Sequence, residues 1–113
     1  MKVYATEHQF QADCVMWFHN EYPKHRKMLH CNDNNSYNKI EGNKKKALGV
    51  VAGVSDLELI LYAGVVMFIE LKLPGKLQSI EQIDFMNMVT DRGHMYCVID
   101  NIEAFKSLIK SML

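Results

Sequence analysis

Residues 54–72, "VSDLELILYAGVVMFIELK", constrain the fold more than any other part of the chain. Two runs rich in strand-forming residues, LELILY and VVMFIELK, are separated by Ala63-Gly64, and this pattern predicts a β-hairpin. Because both runs are almost wholly apolar, we expect the hairpin to be central in a sheet and covered on both faces. Charged residues nevertheless stand at both ends of the segment: Asp56 near its beginning, and Glu70 and Lys72 at its close.

The register of the hairpin decides whether these charges meet. If the turn centres on Ala63, Asp56 lies opposite Glu70, with Cβ atoms ~5 Å apart on one face of the sheet. Lys72 then shares that face, because side chains alternate with a period of two. If the turn centres between Ala63 and Gly64, Asp56 faces the other way. The sequence leaves both registers open.

In the first register, two carboxylates and one ammonium group converge at the open end of the hairpin. A Mg²⁺ or Mn²⁺ ion between Asp56 and Glu70 would relieve their repulsion, and both ions prefer oxygen ligands. Lys72 would then supply a cation beside a metal-bound water and a scissile phosphate. The alternative is a solvated hairpin end, with a surface ion pair worth ~0–1 kcal/mol.

The rest of the chain predicts further helices and strands. We expect helices over 6–22, 37–49, 79–93 and 100–113 and strands over 25–31 and 95–99, with a turn at 32–36. Thr6 with Gln9, and Ser79 with Gln82, have the spacing of capping boxes. The resulting order αβαββαβα predicts a single α/β domain over residues 1–113, in which a mixed central β-sheet is flanked by helices.

Two helices begin with a polar residue on the side that should meet the sheet. Glu7 shares the face of Phe10 and Cys14, and Gln82 shares the face of Phe85. Both side chains are predicted to reach the open end of the hairpin. The alternatives are a carboxylate favoured by the helix dipole for Glu7 and a purely capping role for Gln82.

Composition limits the partners and the compartment. The 113 residues carry 13 basic and 13 acidic side chains, so the strongly basic balance typical of nucleic-acid binders is absent. Contacts to phosphate would depend on local lysines, and the candidates are Lys44, Lys45, Lys46 and Lys76, with a solvated surface as the alternative. Three scattered cysteines without a CxxC pair indicate a reducing compartment. The longest apolar run has 11 residues, short of the ~20 that a membrane helix needs, and we expect a cytoplasmic protein.

Three motifs together resemble a known family. GVSD (53–56), IELK (69–72) and SIEQIDF (79–85), in this order and spacing, resemble the VRR-NUC (virus-type replication-repair nuclease) domain of the PD-(D/E)XK nuclease superfamily. That family typically shows an early helical Glu, G-[VI]-P-D, E-x-K and S-x-x-Q, and Glu7 matches the first of these. The resemblance spans nearly the whole chain, as in small stand-alone, phage-type members. Ser55 replaces the usual Pro and lacks its fixed φ, but Asp56 is kept, so we expect activity to survive.

The resemblance implies a restriction-endonuclease-like core and a Mg²⁺- or Mn²⁺-dependent DNA endonuclease. Asp56, Glu70 and the Leu71 backbone carbonyl would hold the metal, and Glu7 would assist through a water or a second metal. Lys72 would orient or activate the attacking water, and Gln82 would position Lys72 or that water. Stand-alone members are associated with homodimers and with branched DNA such as four-way junctions. We therefore expect a homodimer acting on branched or duplex DNA in the cytoplasm, or in the host cytoplasm if phage-encoded.

Two other functions remain open. One is a catalytically silent DNA-binding or dimerisation module with the same fold. An intact set of Asp56, Glu70 and Lys72 favours the enzyme, because a silent module does not need all three. The other is a restriction-type duplex endonuclease, and the lack of a separate base-reading segment in 113 residues weighs against it.

Overall fold

In the computed structural model, which describes residues 2–32 and 38–113, helices and strands follow one another in the predicted order. The helices are α1 (Glu7–Glu21), α2 (Lys39–Ala47), α3 (Ile80–Asp91) and α4 (Ile102–Met112). The strands are β1 (Leu29–Cys31), β2 (Leu57–Ile60), β3 (Val66–Leu71) and β4 (Met95–Ile99). The first strand is shorter than predicted because Arg26–Met28 form a 3₁₀ turn. Of the predicted turn at 32–36, all but Asn32 lies outside the described residues, as does Tyr37 of the predicted second helix.

The strands form one mixed sheet in the order β1-β2-β3-β4. The pairs β1/β2 and β2/β3 are antiparallel, and β3/β4 is parallel, with α3 in the connection. The hairpin strands β2 and β3 are therefore central, as the sequence predicts. The α/β class with a mixed sheet flanked by helices is confirmed.

The core lies between one face of this sheet and the helices α1 and α4. Alternate residues of the central strands point into it, as a period of two requires. The buried set comprises Leu57, Leu59, Met67, Ile69 and Leu71 of the sheet, Phe10, Cys14 and Phe18 of α1, and Phe105 and Ile109 of α4. Trp17 of α1 is only partly buried and makes a T-shaped ring contact with Phe105 at the rim of the core.

The opposite face of the sheet is covered unevenly. Phe85 of α3 packs against Phe68 of β3 and Tyr96 of β4. Ile60 at the far end of β2 remains 41% exposed. The expectation that both faces of the hairpin are covered is thus wrong for this part of β2, because α3 packs over the β3 and β4 side of the sheet.

The register is the first of the two that the sequence leaves open. Leu57 pairs with Ile69 and Ile60 pairs with Val66, and each pair is symmetric about Ala63. Ala63 (φ 59°) has the left-handed backbone at the centre of the turn. Extended by one residue, this register sets Asp56 opposite Glu70.

Helix caps fix the positions of Glu7 and Gln82, the two residues predicted to reach the open end of the hairpin. Ser79 and Gln82 form the complete capping box at the start of α3. At the start of α1, Thr6 Oγ1 accepts from the Gln9 amide at 3.2 Å, but Gln9 Oε1 accepts from the Ala5 amide rather than from that of Thr6. Both caps hold the first turns of α1 and α3 in place. No helix in the described part of the chain is long and apolar enough to cross a membrane.

Ala63 provides a test of the turn. A side chain in the left-handed region costs ~1–2 kcal/mol, so Ala63→Gly is expected to raise the free energy of unfolding by about 1 kcal/mol. The matched control is Ala12→Gly on the exposed side of α1, which should lower it by about 1 kcal/mol. Urea denaturation measures both. A loss of stability in Ala63→Gly would contradict the turn conformation.

Candidate active site

The open end of the hairpin brings Asp56 against Glu70. Asp56 Oδ2 accepts a hydrogen bond from the Leu71 backbone amide at 2.8 Å. Since Leu71 follows Glu70 directly, this bond holds the Asp56 carboxylate at the end of β3. The predicted meeting of the two carboxylates is therefore present in the structure.

Glu70 is buried, with only 2% of its surface exposed. Its Oε2 accepts from Gln82 Nε2 at 3.2 Å and lies 3.8 Å from Lys72 Nζ. Its Oε1 is buried and has no hydrogen-bond partner among the described residues. A buried polar atom left in this state costs ~1–3 kcal/mol. The carboxylate is thus incompletely compensated by the protein around it.

The electrostatics of Glu70 point the same way. Burial is the main cause that raises the pKa of Glu70 to about 8, and the negative charge of Asp56 adds to it. The charge of Glu7 raises this pKa further, while Lys72 lowers it. One ammonium group therefore does not balance the surrounding carboxylates, and the site favours a proton or another cation at Glu70.

Lys72 and Gln82 approach Glu70 from different elements. The Lys72 backbone amide donates to the Ile99 carbonyl at 3.0 Å, which extends the β3/β4 pairing to the residue that carries the ammonium group. Gln82 Oε1 accepts from the Ser79 amide while its Nε2 donates to Glu70. Gln82 thus serves both as cap partner and as site contact, and the residue it contacts is Glu70.

A cavity of about 410 Å³ opens beside the carboxylates. Its walls come from α1, α2, the 50–54 segment, the hairpin and the start of α3. Its lining includes Glu7, Lys45, Lys46, Val50, Val51, Ala52, Gly53, Asp56, Glu70, Ser79, Glu81 and Gln82. Glu7 also borders a neighbouring hollow with Asp56, so it lies at the site as predicted.

The donor set suits a divalent cation that keeps part of its hydration. Among residues 2–32 and 38–113, no three His, Cys, Asp or Glu side chains are arranged to hold a metal ion by themselves. Asp56 and Glu70 supply two carboxylates. Mg²⁺ is usually held by one or two carboxylates, with waters and substrate phosphates completing its shell. Two carboxylates with one unpaired oxygen therefore fit such an ion.

Comparisons with known proteins bear on the fold. No family model matches the sequence, and no curated protein matches it. A solved structure described as a "VRR_NUC domain protein" superposes with a TM-score of 0.81 and 22% sequence identity, covering 100% of this chain and 91% of that one. The chain has the VRR-NUC fold. The restriction-endonuclease-like core predicted from the three motifs is thereby confirmed.

Two of the four lysines predicted to contact DNA lie at this site. Lys45 and Lys46 line the cavity, and Lys45 Nζ also lies 3.6 Å from Glu41 Oε1. Lys44 and Lys76 are exposed and are not among the residues that line it. A role for all four in DNA binding remains a prediction.

The segment before Asp56 is held by a residue that the sequence analysis passed over. Asn32 Nδ2 donates to the Ser55 carbonyl and to Glu58 Oε1, both at 3.0 Å, and the Asn32 amide donates to the Asp56 carbonyl. Ser55 is buried and donates from Oγ to the Leu57 carbonyl at 3.1 Å. Hydrogen bonds therefore hold this segment, which lacks the proline expected from the resemblance. Asn32 was part of an asparagine-rich stretch, and no motif distinguished it from its neighbours.

Gly53 allows the same segment to pack on α3. Its φ is 87°, and a Cβ at this position would lie 2.2 Å from the Glu81 carbonyl oxygen. Only glycine fits so close to the backbone of the first turn of α3. The contact links the segment that carries Asp56 to the helix turn that carries Gln82.

Gly53→Ala tests this contact. Gly49→Ala is the matched control, because Gly49 has φ 97° but open space around its Cα. Gly49→Ala is expected to lower the free energy of unfolding by ~1–2 kcal/mol through backbone strain alone. Gly53→Ala should lose a further ~1–3 kcal/mol through overpacking. Equal losses by chemical denaturation would show that the close approach is absent.

Glu70→Gln tests the electrostatics of the site. A carboxyl group whose pKa is raised on folding binds more protons in the native state, so stability falls as pH rises from about 4.5, the ordinary value, to about 8. Glutamine removes this loss. In EDTA, the variant should therefore gain stability over the wild type across this interval, by about 2–4 kcal/mol at its upper end.

Glu21→Gln, on the exposed end of α1, is the control and should keep the difference flat within about 0.5 kcal/mol. Thermal or urea denaturation at several pH values measures both variants. A Glu70→Gln curve parallel to that of the wild type would show that Glu70 is ionised normally.

Proposed function

We propose that this VRR-NUC domain is a Mg²⁺- or Mn²⁺-dependent endonuclease that hydrolyses phosphodiester bonds in DNA. The observation that carries the proposal is the Glu70 carboxylate, which is 2% exposed, lies beside Asp56 and has no hydrogen-bond partner for Oε1 within residues 2–32 and 38–113. A buried carboxylate pair without a matching charge is unfavourable in a structural role. The same pair is what a hydrated divalent cation needs.

Asp56 and Glu70 would hold the ion, with the Leu71 carbonyl as a further oxygen ligand. The Leu71 amide already orients Asp56 for this purpose. Glu7, which borders the same cavity, would assist through a water or a second ion. A divalent ion at this position polarises a phosphoryl oxygen and lowers the pKa of bound water.

Lys72 would orient or activate the attacking water and stabilise the charge that develops on the phosphate. Its ammonium group lies 3.8 Å from Glu70 Oε2 and is 12% exposed, so few alternative positions are open to it. Gln82 fixes the Glu70 side chain through its hydrogen bond. Because the capping box locks Gln82 itself, Glu70 and Lys72 keep one geometry before substrate arrives.

Lys45 and Lys46 would contact phosphates of the bound strand, which positions DNA without reading its sequence. The chain is neutral overall, so these contacts must be local. We propose branched DNA, such as four-way junctions, as the substrate class.

The central test is cleavage by the purified protein. Linear duplex, flap and four-way-junction DNA are incubated with wild type and Lys72→Ala in Mg²⁺, Mn²⁺ or EDTA. We expect metal-dependent cutting, abolished by EDTA and reduced about 10²- to 10⁴-fold in Lys72→Ala, the range typical of lost acid–base assistance. Lys110→Ala, on the exposed side of α4 and outside the cavity, serves as the control and should change the rate little. Cutting in EDTA, or an unchanged rate in Lys72→Ala, would contradict the mechanism, and no cutting at all would favour a silent module.

We further propose that the protein acts as a homodimer. One chain carries one such site, and symmetric cutting of both strands at a junction needs two. Light scattering should give about twice the 13.1 kDa of the chain. A strict monomer that still cuts both strands of a junction would contradict this.

A further inference from the structure

We propose that the 410 Å³ cavity takes one unpaired nucleotide of the substrate strand, so that the protein cuts where a nucleotide has left the base stack. The inference rests on the proposed nuclease function and adds to it the local structure of the substrate. It is carried by the size of the cavity, the depth of the carboxylates and the residues on its other walls.

Size limits what can enter. The volume lies at the lower end of the ~300–1,000 Å³ range of pockets that hold small ligands. A single nucleotide is a ligand of the size that such a cavity accommodates.

The Glu70 carboxylate lies deep in the protein, so the substrate strand must enter the cavity to reach it. Glu70, 2% exposed, lines this cavity, whereas the neighbouring hollow is bordered by Asp56 and not by Glu70, so the Glu70 carboxylate is approached through the cavity. A strand that turns one nucleotide into the cavity brings its phosphate to this carboxylate directly.

The remaining walls match the parts of a nucleotide. Val50 and Val51 line the cavity between charged groups, and Val51 is 57% exposed, which leaves aliphatic surface free to contact the face of a base. Lys46 on α2 lines another wall and forms no ion pair within the described part of the chain, so it is available to a neighbouring phosphate. The Gly53 contact with Glu81 holds the valine segment against α3, so this wall is pre-formed.

A preference among DNA structures follows. Turning a stacked, paired nucleotide out of a duplex costs a few kcal/mol, and least where the base is mismatched or already unpaired. Since ~1.4 kcal/mol corresponds to a factor of ten, a duplex with a one-nucleotide bulge should be cut at least about tenfold faster than the same duplex without it. Branch points would be cut well for the same reason.

Fluorescence of 2-aminopurine tests entry without relying on cleavage. The cut position is mapped with wild type on the bulged duplex, and 2-aminopurine is then placed beside the scissile phosphate. Binding of Lys72→Ala in the presence of Mg²⁺, followed by anisotropy, should raise the fluorescence severalfold, because the base leaves the stack. The same probe four nucleotides away should not respond. Binding without a rise at the cut position would overturn the proposal.

Two matched substitutions test whether the nucleotide binds in this cavity. Ala52 lines the cavity and Ala47 does not, and both are exposed. Ala52→Phe, introduced into Lys72→Ala, should abolish the fluorescence rise, and alone it should slow cleavage of the bulged duplex at least about tenfold. Ala47→Phe should change neither by more than about twofold. If Ala52→Phe does not fold by circular dichroism, Ala52→Leu replaces it, with a smaller loss expected in the same direction.

The failures of the two proposals are distinguishable. If wild type cuts continuous and bulged duplexes equally, and Ala52→Phe retains full activity, the cavity proposal is overturned while the nuclease stands. If no DNA is bound or cut under any condition, the nuclease proposal is overturned, and the cavity proposal with it.

Discussion

The contact between the Asp56 and Glu70 carboxylates is the interaction on which the site depends. It exists because the antiparallel register of β2 and β3 is symmetric about Ala63. A register shifted by one residue would place Asp56 on the opposite face of the sheet. Asp56 and Glu70 would then no longer lie together, although the residue composition of the core would be unchanged. The hydrogen bond from the Leu71 amide to Asp56 then fixes the pair at the open end of the hairpin. Apolar packing on the other face, through Leu57 and Ile69, keeps this register in place.

The residues around Asp56 and Glu70 hold the two carboxylates in position but do not balance their negative charge. Lys72 supplies one positive charge against three nearby carboxylates, and burial of Glu70 strengthens every one of these interactions. Gln82 adds a neutral donor, and Glu70 Oε1 is left without a partner in the described part of the chain. A structural ion pair would be expected to satisfy both oxygens. An excess of negative charge around Glu70 is expected at a site that binds and releases a cation together with a phosphate.

Much of this was predictable from sequence, for identifiable reasons. The element order and the central hairpin followed from strand-forming runs and from caps such as Ser79, and Glu7 and Gln82 followed from polar residues on faces that meet the sheet. The register could not be decided, because Ala63-Gly64 permits a left-handed turn at either centre. The unpaired Oε1 and the cavity depend on how α2 and the 50–54 segment pack, which no local pattern encodes. Asn32 shows the same limit: its contacts with Ser55 and Glu58 join residues more than 20 positions apart.

The most direct test of the account is the binding of a divalent cation to the protein without DNA. Isothermal titration of Mn²⁺ into wild type, Glu70→Gln and the control Glu21→Gln measures it. We expect one class of Mn²⁺ sites per chain in wild type and control, and at least about tenfold weaker binding in Glu70→Gln. Equal binding in all three, or none in wild type, would contradict the claim that the buried carboxylate pair is a cation site.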